Sequence, residues 1–154
     1  MDTAASPGYI FQHTATMLYR QSDQILQERL GIGMSQFKLL MVLHNHEHIQ
    51  QRALADYLGQ TEASISRQIK LLCEKGMLAI HINPTNRREH NAVLTAKGVR
   101  LAEAAGETLK EYYAPAWQQL SDKERSQLMN AMEKLHAYVC QEGKTFACDH
   151  PFSH

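Results

Sequence analysis

Arg67, Lys70, Arg87 and Arg88 are the residues whose type and spacing point most directly to chemistry, and that chemistry is the recognition of phosphates and base edges. The first two lie in Thr61-Glu62-Ala63-Ser64-Ile65-Ser66-Arg67-Gln68-Ile69-Lys70-Leu71-Leu72. At helical pitch, about 100° per residue, Ile65, Ile69 and Leu72 fall on one face. Ala63, Arg67 and Lys70 fall on the other, with Ser64 beside them. Small residues let a helix approach a groove, and Arg, Lys and Ser reach base edges and phosphate oxygens. A plain amphipathic helix with a solvated polar face gives the same pattern, so this segment does not decide alone. Arg87 and Arg88 follow Asn83-Pro84-Thr85-Asn86, which is turn-forming chemistry. Two arginines at such a tip suit a DNA backbone or a minor groove better than open solvent.

The elements that must position these residues are legible on either side. Thr61 suits an N-cap, its hydroxyl accepting an otherwise unpaired N–H, and Gly76 suits the exit because it adopts φ > 0 freely. Upstream, Ala53-Leu54-Ala55-Asp56-Tyr57-Leu58-Gly59 reads as a short amphipathic helix ended by glycine. Two helices joined by so tight a turn are a helix-turn-helix signature. Downstream, Leu78, Ile80 and Ile82 alternate with Ala79, His81 and Asn83, and Asn91-Ala92-Val93-Leu94 reads as the returning strand. A helix-turn-helix is thus followed directly by a β-hairpin with a basic tip.

Leu54-Ala55, Ser66-Arg67, Gly76-Met77-Leu78, Asn86-Arg87-Arg88 and Leu94-Thr95-Ala96-Lys97-Gly98, in this order and spacing, resemble the MarR family of bacterial winged-helix regulators. The motifs cover roughly residues 35–100, and the flanking helices resemble the family by pattern only. Asn86 stands where the family usually has Asp, so Arg88 lacks an orienting carboxylate, and Ile80 stands where a basic residue is frequent. The resemblance implies a mainly α (α+β) fold, a winged helix-turn-helix over about 35–99. Dimerisation helices at about 9–34 and 100–142 flank it, and residues 143–154 form a tail. It implies a homodimer on double-stranded DNA, a transcriptional repressor released from a near-palindromic operator by a small-molecule effector. The residues expected to meet DNA are Thr61, Ser64, Ser66, Arg67, Gln68 and Lys70 on the helix, with Asn86, Arg87 and Arg88 on the wing. Gln68 leans towards the core side and is the least secure of them.

Composition is compatible with this once its distribution is considered. The 154 residues carry a formal net charge of zero. From Thr61 to Arg100, however, seven basic residues stand against three acidic ones, which leaves the remainder of the chain acidic by the same margin. A basic lobe on an acidic body is the electrostatic footprint of a DNA-binding module. No apolar run approaches the roughly 20 residues of a membrane span, and the N-terminus lacks the form of a signal peptide. Three widely separated cysteines form no disulfide framework and fit a reducing cytoplasm.

Taken in order, a loose tail leads to a first helix over about Tyr9–Arg29, broken by Gly31 and Gly33. Ser35 is the expected N-cap of a second helix, apolar almost all round through Phe37, Leu39, Leu40, Met41, Val42 and Leu43, and therefore buried. After the wing, Thr95 caps a long helix in which Pro115 predicts a kink or a break. Ser121-Asp122-Lys123-Glu124 is a capping box opening the last helix, whose Leu128, Met132, Leu135 and Val139 form an apolar stripe. The first and last two helices hold more apolar surface than a winged helix of this size can cover, which by itself argues for a second copy.

Control of DNA binding is less legible. His13, Met17, Tyr19 and Arg20 on the first helix, with His44 on the second, are candidates for an effector crevice, and core packing is the competing explanation. Cys73, Cys140 and Cys148 are redox candidates against a reading as inert thiols. His44 with His48, and Cys148 with His150 and His154, are loose clusters without structural-zinc spacing, so no metal or other cofactor is expected. No glycine-rich phosphate loop, nucleophile elbow or H-E-x-x-H occurs, so no enzyme is expected. The alternatives are an oxidant- or metal-responsive regulator of the same fold, and a winged-helix protein-interaction module that does not bind DNA.

Overall fold

The computed structural model describes residues 6–46, 49–82, 84–85 and 90–139, with only the backbone at 90. The elements run α1 (Pro7–Leu30), α2 (Met34–Asn45), α3 (Gln51–Leu58), α4 (Glu62–Glu74), β1 (Leu78–Ile82), β2 (His90–Leu94), α5 (Ala96–Gln118) and α6 (Asp122–Val139). It is a mainly helical winged helix-turn-helix with long helices on either side of the wing-bearing core, as the sequence predicts.

Local chemistry sets most of the boundaries. Ser6 opens α1 by accepting the Tyr9 N–H at 3.2 Å, with Pro7 in the first turn where its missing donor costs nothing. Gly31 closes it at φ 66°. The start of α2 differs from expectation. Its N-cap is Gly33, and Ser35 lies inside the first turn. The reason is tertiary: Asp23 of α1 reaches across and its Oδ1 accepts the Met34 N–H at 2.7 Å. The helix is thus capped by a carboxylate from another element, and Ser35 is released for a different task. A Cβ on Gly33 would lie 2.8 Å from that same oxygen, so the glycine makes room for the reach. Replacing Asp23 with alanine is expected to cost about 1 kcal/mol, which is a Tm lower by roughly 2–4 °C at matched protein concentration. A variant that melts with the wild type would show that the cap contributes nothing.

A single core joins α1 to α5. Leu26, Ile32, Leu39, Leu40, Leu54, Ile65 and Leu72 are its fully buried large side chains, each worth roughly 2 kcal/mol of apolar transfer. The first half of α5 enters the core with Gly98, Ala102 and Ala105, spaced at four and three so that a small-residue stripe packs closely on its neighbours. Tyr113 ties α5 to α1, its hydroxyl donating to the Leu18 carbonyl at 2.8 Å and sharing a hydrogen bond with the buried Ser22 at 2.9 Å. Beyond this point the helices leave the core. Pro115 does not break α5, which runs on to Gln118. The carbonyl one turn back, which loses the donor that proline lacks, belongs to Glu111, an exposed residue.

The wing strands pair antiparallel with Leu78 opposite Leu94, Ile80 opposite Ala92 and Ile82 opposite His90. The period-2 pattern is therefore a true strand, but only Leu78 of its three apolar residues is buried. Ile80 and Ile82 are 45% and 56% exposed, because among the described residues nothing covers the far end of the two-stranded sheet.

The last helix opens on the predicted capping box: Glu124 accepts from the Ser121 N–H at 2.8 Å and the Ser121 hydroxyl at 2.7 Å. Those two bonds, the hydroxyl's first, hold the Glu124 carboxyl below the usual range. No residue of α6 is buried. Leu128, Met132, Leu135 and Val139 all stand exposed, as do Tyr9, Ile10 and Phe11 at the start of α1.

Candidate nucleic-acid interface

The turn between α3 and α4 is built by one glycine-terminated helix end and one threonine cap. Gly59, at φ 62°, closes α3 in a Schellman arrangement, its N–H donating to the Asp56 carbonyl while the Gln60 N–H donates to that of Ala55. Thr61 then caps α4, its hydroxyl accepting the Ser64 N–H at 3.2 Å. Gly76, at φ 74°, closes α4 in the same way, Gly76 donating to Cys73 and Met77 to Leu72. The helix is held at both ends, with Ile65, Ile69 and Leu72 locked into the core beneath it.

This fixes its outer face. Ala63, Ser66, Arg67 and Lys70 are exposed, and among the described residues neither cation makes an ion pair. Thr61 is exposed too, although its side-chain oxygen is occupied as a cap. Ser64 and Gln68 are half-buried. Their polar atoms bond to Gln60 rather than to solvent: Gln68 Nε2 donates to Gln60 Oε1 at 2.7 Å and Ser64 Oγ to the same oxygen at 3.1 Å. Asn86, Arg87 and Arg88 lie outside the described residues, as do His48, Cys140, Cys148, His150 and His154.

The block Leu94-Thr95-Ala96-Lys97-Gly98 acts as a rivet joining the exit of α4 to the start of α5. Thr95 Oγ1 donates towards the Gly76 carbonyl at 2.7 Å and that of Met77 at 3.1 Å, and accepts the Gly98 N–H at 3.1 Å. Lys97 Nζ donates to the Lys75 carbonyl at 2.9 Å. A Cβ on Gly98 would fall 2.1 Å from the Met77 carbonyl oxygen, a contact no side chain can make.

Of the candidate effector residues, His13, Met17, Tyr19 and Arg20 lie on α1 and His44 on α2. His13, Met17, Tyr19, Arg20 and His44 are all exposed, and none lines the cavity between α2 and α3. That cavity, about 370 Å³, lies between α2 and α3 against Phe37, Lys38, Met41, Asn45, Tyr57 and Leu58. Tyr19 approaches its rim, with the Lys38 ammonium 4.9 Å above the ring centroid. Sequence reading passed over Lys38 because a lone lysine on a helix is normally a solvated one.

Cys73 is half-buried near the end of α4. Burial first, and then the Glu74 carboxylate, push its thiol pKa above the ordinary value. Thiolate is scarce at neutral pH under those conditions, which runs against a reactive cysteine. In a protein with Cys140→Ser and Cys148→Ser, alkylation by iodoacetamide at pH 7.5 is expected to be slower than that of a free thiol such as glutathione. A faster reaction would restore Cys73 as an oxidant sensor.

A helix-turn-helix with an outward cationic second helix, followed by a two-stranded wing, defines a winged-helix protein of the DNA-binding class. Comparison with known proteins points to the same class. Residues 30–89 match the model of the MarR family. A protein of Thauera aromatica described as a putative transcriptional regulatory protein for the hcr operon is 24% identical over 133 residues, covering 86% of this chain and 80% of that protein. The solved MarR/EmrR family transcriptional regulator of Acinetobacter sp. ADP1 is 26% identical, with a TM-score of 0.68 over 84% of this chain and 91% of its own. The MepR–DNA complex of S. aureus shares the fold at 23% identity, with a TM-score of 0.70 over 90% of this chain and 99% of its own. Over residues 30–89, which hold the helix-turn-helix, the chain is thus similar to the MarR family, and it has the fold of that family's solved transcriptional regulators.

Proposed function

We propose that this protein is a homodimeric repressor that binds a near-palindromic operator and leaves it when a small molecule binds. The observation that carries the reading is the outer face of α4, where Ser66, Arg67 and Lys70 stand exposed on a helix whose opposite side is locked into the core. Ser66, Arg67 and Lys70 meet the major groove, with Thr61 at the helix start and Ser64 beside them, while Asn86, Arg87 and Arg88 reach the minor groove or its flanking phosphates. MepR, which has this fold, has been seen in complex with DNA.

The uncovered apolar helices support the dimer. An amphipathic helix such as α6 that buries none of its stripe needs a surface from elsewhere, and a second copy supplies it by symmetry. Residues of about 9–34 and 100–142 form the dimer helices in this reading, around winged helices of about 35–99. Two recognition helices then enter major grooves about 34–36 Å apart. The dimer works on DNA in the cytoplasm, and no described helix is long and apolar enough to cross a membrane. The effector enters between α2 and α3, where the cavity beside Lys38 is large enough for a small molecule.

The test uses purified full-length protein and sheared DNA from its host. Retained fragments are expected to share an inverted repeat with half-sites about 10 base pairs apart, and affinity is expected to fall steeply with salt. Sedimentation as a monomer, with no shift of any duplex, would defeat the proposal.

A further inference from the structure

Gln68 projects from the recognition helix, yet its amide is fully engaged on the protein side. Ser35 Oγ donates to Gln68 Oε1 at 3.2 Å, Gln68 Nε2 donates to Gln60 Oε1 at 2.7 Å, and Gln60 Nε2 donates back to Ser35 Oγ at 2.8 Å. Each side chain donates once and accepts at least once around a closed ring. Ser64 leans on it from the side, donating to Gln60 Oε1 at 3.1 Å and accepting from Gln68 Nε2 at 3.4 Å. All four residues are half-buried. Hydrogen bonds that run head to tail polarise one another, and in a partly desolvated place they hold geometry more firmly than isolated bonds do.

The ring joins three elements: α2 through Ser35, the helix-turn-helix turn through Gln60, and α4 through Gln68. Ser35 directly follows Met34, whose N–H is capped by Asp23 of α1. Asp23 thus ties α1 to α2 and the ring ties α2 to α4, with Gln68 about 100° around the helix from Arg67. We propose that Ser35, Gln60 and Gln68 are positioning residues that set the pitch of α4, so that Gln68 governs sequence discrimination without reading a base. This rests on the DNA-binding reading above. A recognition helix free to rock keeps its phosphate contacts, which tolerate small displacements, and loses base contacts, which do not.

The experiment compares binding of the full-length protein to a duplex selected by the wild type from a random pool with binding to a scrambled duplex, by fluorescence anisotropy across a salt series. For Ser35→Ala, Gln60→Ala and Gln68→Ala, the preference for the selected duplex is expected to fall about five- to tenfold. Scrambled-duplex affinity, salt slope and oligomeric state should stay as in the wild type. Combining Gln60→Ala with Gln68→Ala should cost no more than the worse single change, because each already opens the ring. Pools selected by Gln68→Ala should yield the wild-type sequence, weakened at all positions. Relaxation at one base pair alone would make Gln68 a base reader and overturn the proposal. A parallel fall in scrambled-duplex affinity and Tm would reduce the ring to a structural role, and unchanged preference would remove it altogether. Ser35→Ala, on another helix, guards against misfolding of α4. A wild type that shifts no duplex would defeat the DNA-binding reading itself, an outcome distinct from every variant result.

Discussion

A protein carrying both Arg67→Ala and Lys70→Ala is expected to bind its operator more than a hundredfold more weakly than the wild type while folding and assembling normally. The two cations share the outer face of α4, are exposed, and make no ion pair among the described residues. Removing them therefore leaves no buried partner unsatisfied, and exposed substitutions of this kind change stability by about 0.5 kcal/mol or less. In a complex with DNA each contact is worth roughly 1–3 kcal/mol, so losing two at the middle of that range weakens binding by about 4 kcal/mol, more than a hundredfold. The form of the loss separates their roles. A phosphate clamp lost lowers the salt slope by about one and weakens all sequences alike, whereas a base reader lost relaxes the preference at one position. Titrations of the single and double variants at several salt concentrations make the measurement. An operator affinity unchanged in the double variant would show that α4 does not face DNA.

Gly98→Ala is expected to be strongly destabilising. The new carbon would lie 2.1 Å from the Met77 backbone oxygen and 3.1 Å from Leu94 Cδ2. The first neighbour is backbone, itself accepting from the Thr95 N–H at 3.0 Å and the Thr95 hydroxyl at 3.1 Å, so it has no room to withdraw. Overpacking of this kind costs roughly 1–3 kcal/mol and more where backbone must move. At about 3 kcal/mol, Tm falls by roughly 6–12 °C for a chain of this length. The same displacement would pull the start of α5 from the exit of α4, so operator affinity should fall with stability. Thermal melts at matched concentration check this, because subunit association also moves Tm. A melting point within about 2 °C of wild type, less than about 1 kcal/mol, would show that the junction is looser than the contact implies.

The amino-acid sequence by itself determined the local signals. Thr61, Thr95 and Ser121 cap the helices expected of them, and Gly59 and Gly76 end theirs at positive φ. The helix-turn-helix and wing strands follow from periodicities of 3.6 and 2 that any neighbour would have to respect. These features are written within a few residues, because caps, turns and amphipathic faces are satisfied by atoms close along the chain.

Whatever depended on a partner distant in sequence was settled only by tertiary structure. Ser35 looked like a cap until Asp23, eleven residues before Met34, took that role across a helix pair. Gln68 carried a donor pattern fit for DNA, but whether it turned outward depended on Gln60 and Ser35, one of them 33 positions away. Pro115 signalled a kink or a break, yet α5 runs through it to Gln118. Ile80 and Ile82 had the right alternation for a buried face, yet they stand exposed because nothing among the described residues covers that end of the sheet. Sequence fixes what a residue offers to its surroundings; packing selects which offer is accepted, since a polar side chain with several equivalent partners takes the one that the other helices bring within about 3 Å.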